Sequence, residues 1–281
     1  MSPPITVAEA LRQAVDQLGV SSSPRLDAEL LLAESLAVPR TRLYSDPERV
    51  LDAGTCATFR TLVRERGSGK PVPYLTGRTE FFSLDLAIND AVLVPRPETE
   101  LLVEVALELC LPGPALHVAD LGTGSGAIAA AIARARPAFF VTATDRFLPA
   151  LKLARANLTR LNTSNTRVLV ADWLRPFANR VFDAILTNPP YVADTERSEL
   201  GPALGFEPAA ALYAGADGLS ALVAIIEDAP RCLTAGGRLV LEHGERQGDS
   251  VRELLRIRGF DSISTRRDLA GRERVTAGVR P

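Results

Sequence analysis

Apolar positions change their spacing partway along the chain. Early on they recur at helical intervals: Val7, Leu11, Ala14, Val15 and Leu18 share one face of "TVAEALRQAVDQLG". Thr6 and Glu9 have capping-box spacing at its start, and Gly19 closes it. "SPRLDAELLLAESLAV" predicts a second helix, with Ser23 as N-cap and Pro24 at the first helical position. Asp46 and Pro47 predict the same device before a third helix running towards Arg66. "GSGKPVPYLTG" interrupts the pattern and reads as a linker, and "TEFFSLDLAIND" alternates like a short hairpin.

From Pro97 the pattern changes. The helix "PETELLVEVALELC" precedes the apolar run "ALHVADLG", and apolar runs then alternate with helical stretches to the end. Such alternation predicts an α/β fold with a doubly wound parallel sheet covered by helices on both faces. The expected domains are a helical one over residues 1–70, a linker and β-hairpin over 71–96, and the α/β domain over 97–281. Ligands of such sheets bind beyond the carboxyl ends of the strands, where "DLGTGSG", "ATD", "VADW" and "TNPPY" fall.

Bulk properties narrow the classes. A chain of 281 residues with 46% hydrophobic and 23% charged residues suits a globular protein of one or two domains. A formal net charge of −2 gives no global attraction to nucleic acid or membrane surfaces, so neither is expected as a direct partner. Cys56, Cys110 and Cys232 are far apart, which argues against a zinc site or a disulfide scaffold. "MSPPITVAEALRQAV" lacks a signal-peptide apolar core and no segment reaches transmembrane length, so the expected setting is cytoplasmic.

"VADLGTGSGAIAAAIA" passes from a strand through a glycine loop into a helix. Gly122, Gly124 and Gly126, with Thr123 and Ser125 between them, let a ligand approach the backbone and the free N–H groups of the helix start. The pattern with Ala127 also fits the dinucleotide fingerprint, and a structural tight turn is the plainer alternative. Asp145 ends the next strand, where a carboxylate can accept both ribose hydroxyls or cap the following helix. Asp172 and Trp173 end the third strand. The aspartate suits an exocyclic amine, and the indole suits a purine face or the core. Adenosine is common to NAD and S-adenosylmethionine, so these features do not separate them.

Asn188, Pro189, Pro190 and Tyr191 do separate them. A planar NH₂ group has a delocalised, weakly basic lone pair. Two acceptors aimed at its N–H bonds, the Asn188 side-chain oxygen and the Pro189 carbonyl, hold it and favour the geometry in which the lone pair faces an electrophile. The two prolines restrict the residues before them, so both acceptors are set in advance. Tyr191 offers an aromatic face to a flat amide or base. A sulfonium methyl donor is already activated, and no strong general base is required. Of the two histidines, His117 reads as a core residue, and His243 as structural or near the site.

At these residues the sequence resembles the release-factor glutamine methyltransferases, the HemK/PrmC family. "PYLTGRTEFFSLDLAINDAVLVPRPETELLVE", "DLGTGSGAIA" and "NPPY" carry the resemblance, with "FEPAAAL", "GADGLSAL", "LEHGERQG" and "RDLAGRERV" as further matches. It implies a Rossmann-like methyltransferase sheet with a small N-terminal helical domain that docks the protein substrate. It implies S-adenosylmethionine as methyl donor and, as substrate, the glutamine of the Gly-Gly-Gln motif of peptide-chain release factors. By position it assigns Gly122 to Gly126, Asp145, Trp173 and Asn188 to the cofactor, and Asn188 to Tyr191 to the substrate amide. It sets Arg96 and Glu100 near the site, although Pro97 and Glu100 also suit a helix first turn. A monomer is expected. Rival readings are a glutamine methyltransferase of a ribosomal protein, an adenine-amine methyltransferase of nucleic acid, and a nucleoside-binding protein without turnover.

Overall fold

The computed structural model describes residues 5–110, 115–197 and 201–281. The first residues of "MSPPITVAEALRQAV" lie outside them. The chain forms two units, residues 1–78 with 201–206, and residues 79–200 with 207–281.

In the first unit, α1 (Val7–Gln17) is capped by Thr6, whose Oγ1 accepts the Glu9 N–H at 3.3 Å. Its apolar face buries Val7, Leu11, Ala14 and the following Leu18. Pro24 opens α2 (Pro24–Leu36), although the Ser23 side chain makes no cap hydrogen bond. α3 (Thr41–Ser45) is followed by α4 (Ala53–Gly67). The predicted start at Asp46 and Pro47 is displaced. The Pro47 and Arg49 carbonyls accept the N–H groups of Ala8 and Val7, which a helix start leaves without partners. That segment forms a turn at Pro47 and Glu48 and a β-bridge from Val50 to Thr6, and Asp52 caps α4 by accepting the Thr55 N–H at 2.9 Å. A partly buried ion pair of Asp27 and Arg66, at 2.6 Å, joins α2 to α4. The stretch read as a linker contains α5 (Val72–Thr76), because Pro71 and Pro73 suit a helix start and Gly77 takes the left-handed conformation at its end.

From Thr79 the second unit carries the hairpin of β1 (Arg78–Phe81, its first residue the last of the first unit) and β2 (Leu84–Ala87), joined through Phe82 and Ser83 at positive φ. α6 (Pro97–Leu109) precedes the main sheet. Its elements in order are β3 (His117–Leu121), α7 (Ala127–Ala135), β4 (Phe140–Asp145), α8 (Leu148–Arg160), β5 (Thr166–Val170), β6 (Phe182–Thr187), α9 (Ala209–Leu212), α10 (Ser220–Cys232), β7 (Leu233–Glu242), α11 (Gly248–Ile257), β8 (Asp261–Arg267) and β9 (Glu273–Val279). Among the described residues the sheet has seven strands in the order β5-β4-β3-β6-β7-β9-β8.

β3 to β7 pair in parallel. Val118, Ala184, Leu186 and Val240 point to the face covered by α6, α7 and α8. Their neighbours Ala119, Ile185, Leu239 and Leu241 point to the face of α10 and α11. Burial on both faces is why these strands read as apolar runs, not alternating ones. β9 departs from the parallel expectation and runs antiparallel between β7 and β8. The turn through residues 268–272 is too short for a crossover, so β8 and β9 close as a hairpin. The chain winds outward from β3 to β5, then returns to β6 on the other side of β3. Loops at the carboxyl ends of β3 and β6 therefore leave in opposite directions and open a crevice.

Candidate active site

The crevice is a cavity whose wall includes Gly122, Thr123, Gly124, Ser125, Asp145, Asp172, Trp173, Asn188 and Pro190. Residues far apart in sequence thus meet in one place. Gly126, Pro189 and Tyr191 lie outside the wall. Gly126 backs onto Ala154 of α8, Pro189 is buried, and Tyr191 is turned to the residues behind it.

The glycine loop is tied down by two carboxylates. Asp120 Oδ2 accepts the Thr123 hydroxyl at 2.5 Å and the Ala129 N–H at 3.1 Å, so it spans the loop and the first turn of α7. Burial raises its pKa to about 7, and its Oδ1 is buried without a hydrogen-bond partner. Asp145 Oδ2 accepts the Gly124 N–H at 3.1 Å, while Oδ1 accepts the Phe147 N–H at 2.9 Å. Asp145 therefore satisfies the chain entering α8 and still faces the cavity; burial raises its pKa too. A Cβ at Gly122 would lie 3.1 Å from Trp173 Cζ3, so the indole closes against bare backbone. Trp173 also packs against the core, and Asp172 pairs with Arg175 at 2.6 Å. A glycine cradle, a carboxylate at the second strand end and an indole at the third fit an adenosyl group with a charged sulfonium tail.

At the end of β6, Thr187 Oγ1 donates to the Leu121 carbonyl at 2.9 Å and locks the two diverging strands. Asn188 Nδ2 donates to Thr99 Oγ1 at 2.9 Å, leaving the amide oxygen as the end available to a ligand. The Tyr191 hydroxyl donates to Glu242 Oε1 at 3.1 Å.

The PrmC N-terminal domain model matches residues 9–77, and the methyltransferase small domain model matches 97–215. The release factor glutamine methyltransferase of Salmonella typhimurium is 43% identical over 269 residues, covering 95% of this chain and 96% of that protein. The one from Coxiella burnetii is 41% identical over 277 residues, covering 98% and 99%. The chain belongs to the release factor glutamine methyltransferase family. Its fold is the Rossmann-like methyltransferase fold, shared with a methyltransferase from Pyrococcus furiosus at TM-score 0.53 and 21% identity, covering 71% of this chain and 90% of that one.

The family stretch "PRPETE" has structural tasks here. Arg96 pairs with Glu207, which also accepts the Val94 N–H at 3.1 Å. Glu100 accepts the Phe82 N–H at 2.7 Å and holds the hairpin turn. His117 is exposed at the edge of β3, contrary to the core expectation, because the first residue of a strand need not be covered. His243 is buried between the Gly244 carbonyl and the Thr276 hydroxyl, each at 2.8 Å, and is not in the cavity wall. Sequence reasoning passed over Asp120, Thr99, Asn157, Glu242 and Gln247. The last two lie in "LEHGERQG", whose only signal was the resemblance itself.

Proposed function

We propose that this protein transfers a methyl group from S-adenosylmethionine to the side-chain amide nitrogen of the glutamine in the Gly-Gly-Gln motif of peptide-chain release factors, in the cytoplasm. The observation that carries the reading is the Asn188 amide, anchored through Nδ2 at the rim of the glycine-loop cavity. Full-length identity to the Salmonella and Coxiella enzymes supports the choice of substrate.

Residues 122–126 would hold the cofactor's tail, Asp145 its ribose, and Asp172 and Trp173 its adenine. The cofactor supplies a methyl group already activated on a sulfonium. Asn188 Oδ1 and the Pro189 carbonyl accept the two N–H bonds of the substrate amide, which frees its lone pair for the methyl. The same oxygens stabilise positive charge as it grows on nitrogen. Because Asn188 precedes Pro189, and Pro189 precedes Pro190, both acceptors are held before the substrate arrives, which lowers the entropic cost of alignment. No group is needed to take a proton before transfer; as the N–CH₃ bond forms, the S–CH₃ bond would break to leave the neutral thioether, and the methylated nitrogen would then lose one N–H proton to water. Tyr191 supports this segment from behind through its hydroxyl. The helical unit is assigned to docking the release factor.

The test is methyl transfer from labelled S-adenosylmethionine to purified release factor. One methyl per release factor is expected, and none to a variant with the motif glutamine changed to alanine. Transfer to a ribosomal protein or an oligonucleotide instead would overturn the substrate. Asn188→Ala should lower turnover at least ~100-fold, about 2.7 kcal/mol, with an unchanged circular dichroism spectrum.

A further inference from the structure

At the carboxyl end of β7 lies a carboxyl group to which the reaction above gives no task. Glu242 is 0% exposed. Its Oε1 accepts the Tyr191 hydroxyl, while Oε2 is buried and has no hydrogen-bond partner. On the first turn of α6, Thr99 is also buried, and its hydroxyl draws the Glu242 pKa down against the effect of burial, while no hydrogen bond between the two is formed in this structure. The same hydroxyl oxygen already accepts Asn188 Nδ2.

A hydroxyl has a single proton to give, and an ionised carboxylate can only accept. These two facts set a direction along the row. We propose that Glu242 is a positioning residue: as a carboxylate it takes the Thr99 and Tyr191 hydroxyl protons, makes Thr99 an acceptor for Asn188 Nδ2, and so fixes which end of the Asn188 amide meets the substrate. The orientation matters because a reversed amide would set one NH₂ group against another and leave the substrate nitrogen without its acceptor. The catalytic consequence rests on the glutamine-amide reading; the hydrogen-bond row does not.

Charge at Glu242 is the control. Burial raises its pKa to about 7, with Thr99 and Tyr191 opposing the rise. Glu98 faces it from α6 and favours the protonated form; Arg274 faces it from β9 and favours the charged one. Arg274 is itself paired with Asp268 at 3.1 Å. His243, next in sequence, is committed to Gly244 and Thr276. On the β6 side, Thr187 is bonded to the Leu121 carbonyl. Once protonated, Glu242 can give its own proton to Thr99, and the row loses its direction. Turnover should therefore rise with pH through about 7. Asp120 titrates in the same range, so the profile is read against variants of Glu242.

Glu242→Gln sets an NH₂ donor where Thr99 must give its proton, and Thr99→Val removes the hydroxyl at equal volume. Each should lower kcat at least about tenfold while KM for S-adenosylmethionine stays within about twofold, and the double variant should lose no more than the worse single. Thr99→Ser should recover most of the rate that Thr99→Val loses. The second readout needs neither cofactor nor substrate. In ¹⁵N-labelled protein, the Asn188 side-chain NH₂ signals, identified by their loss in Asn188→Ala, should shift with a midpoint near pH 7 in the wild type and not in Glu242→Gln. Rates within twofold of wild type for both variants, or an Asn188 titration unchanged by Glu242→Gln, would overturn the proposal. If Glu242→Gln fails to fold, Thr99→Val and its NH₂ signals decide alone. If the wild type methylates no release factor, the substrate reading fails while the NH₂ titration still decides this one.

Discussion

Single residues carry the site in two ways, and only one was visible beforehand. Asn188 and the glycines of the loop stand out by type and order: the glycines alone also suit a dinucleotide loop or a tight turn, and it is the amide before two prolines, following them, that narrows the reading. Gly218 does not stand out. It sits far along the chain at φ +73, and a Cβ there would lie 2.3 Å from the Tyr191 carbonyl oxygen. Gln247 Nε2 donates to that same oxygen at 3.0 Å, with its own Oε1 held by the Gly244 N–H at 2.9 Å. Gly218 and Gln247 thus clamp the segment that ends in Tyr191. Gly218→Ala must push that backbone away and should destabilise the protein by ~1–3 kcal/mol. Methylation should fall further than the binding of S-adenosylhomocysteine does. A melting temperature and rate equal to wild type would show that the clamp is slack.

At the level of elements, the periodicities gave the alternation of helices and strands in the α/β unit. The errors fell where backbone groups of one segment satisfy another. Residues 47–51 form a turn and a β-bridge to Thr6 because α1 needs the Pro47 and Arg49 carbonyls, and nothing local to Asp46 and Pro47 reports that need. Asn157 of α8 is a second example. Its Nδ2 donates to the carbonyls of Ala87, at 3.0 Å, and Ser125, at 2.8 Å, while its Oδ1 accepts the Ala87 N–H at 2.8 Å. One buried amide joins β2, α8 and the glycine loop. Asn157→Ala would leave these backbone groups without partners and should cost ~2–4 kcal/mol. Urea denaturation should show the midpoint falling with an unchanged slope. Cofactor affinity should weaken as well, because Ser125 lies in the cavity wall. A loss below about 1 kcal/mol would mean that water replaces the amide.

For the whole molecule, buried acids make stability depend on pH in an uncommon direction. Asp120 and Glu242 both have pKa values raised by burial, to about 7 each. Between their ordinary values and about 7, the folded state holds protons that the unfolded chain has released, so each group's contribution to stability declines as pH rises. The loss is absent below the unfolded pKa and complete above the folded one. Asp120→Asn cannot ionise. Its melting temperature, relative to wild type, should therefore be higher at about pH 8 than at about pH 5; a difference independent of pH would show that Asp120 ionises freely in the fold. The sequence by itself determined the class of fold, the glycine loop, the acidic strand ends and the Asn-Pro-Pro-Tyr segment at the end of β6, because each depends on residue type and short-range spacing. Only the tertiary structure decided that β9 enters antiparallel, that the Tyr191 hydroxyl bonds Glu242, and that Thr99 accepts the Asn188 amide NH₂. Those outcomes depend on which distant groups share a desolvated space. There every polar atom must find a partner, and no local pattern names it.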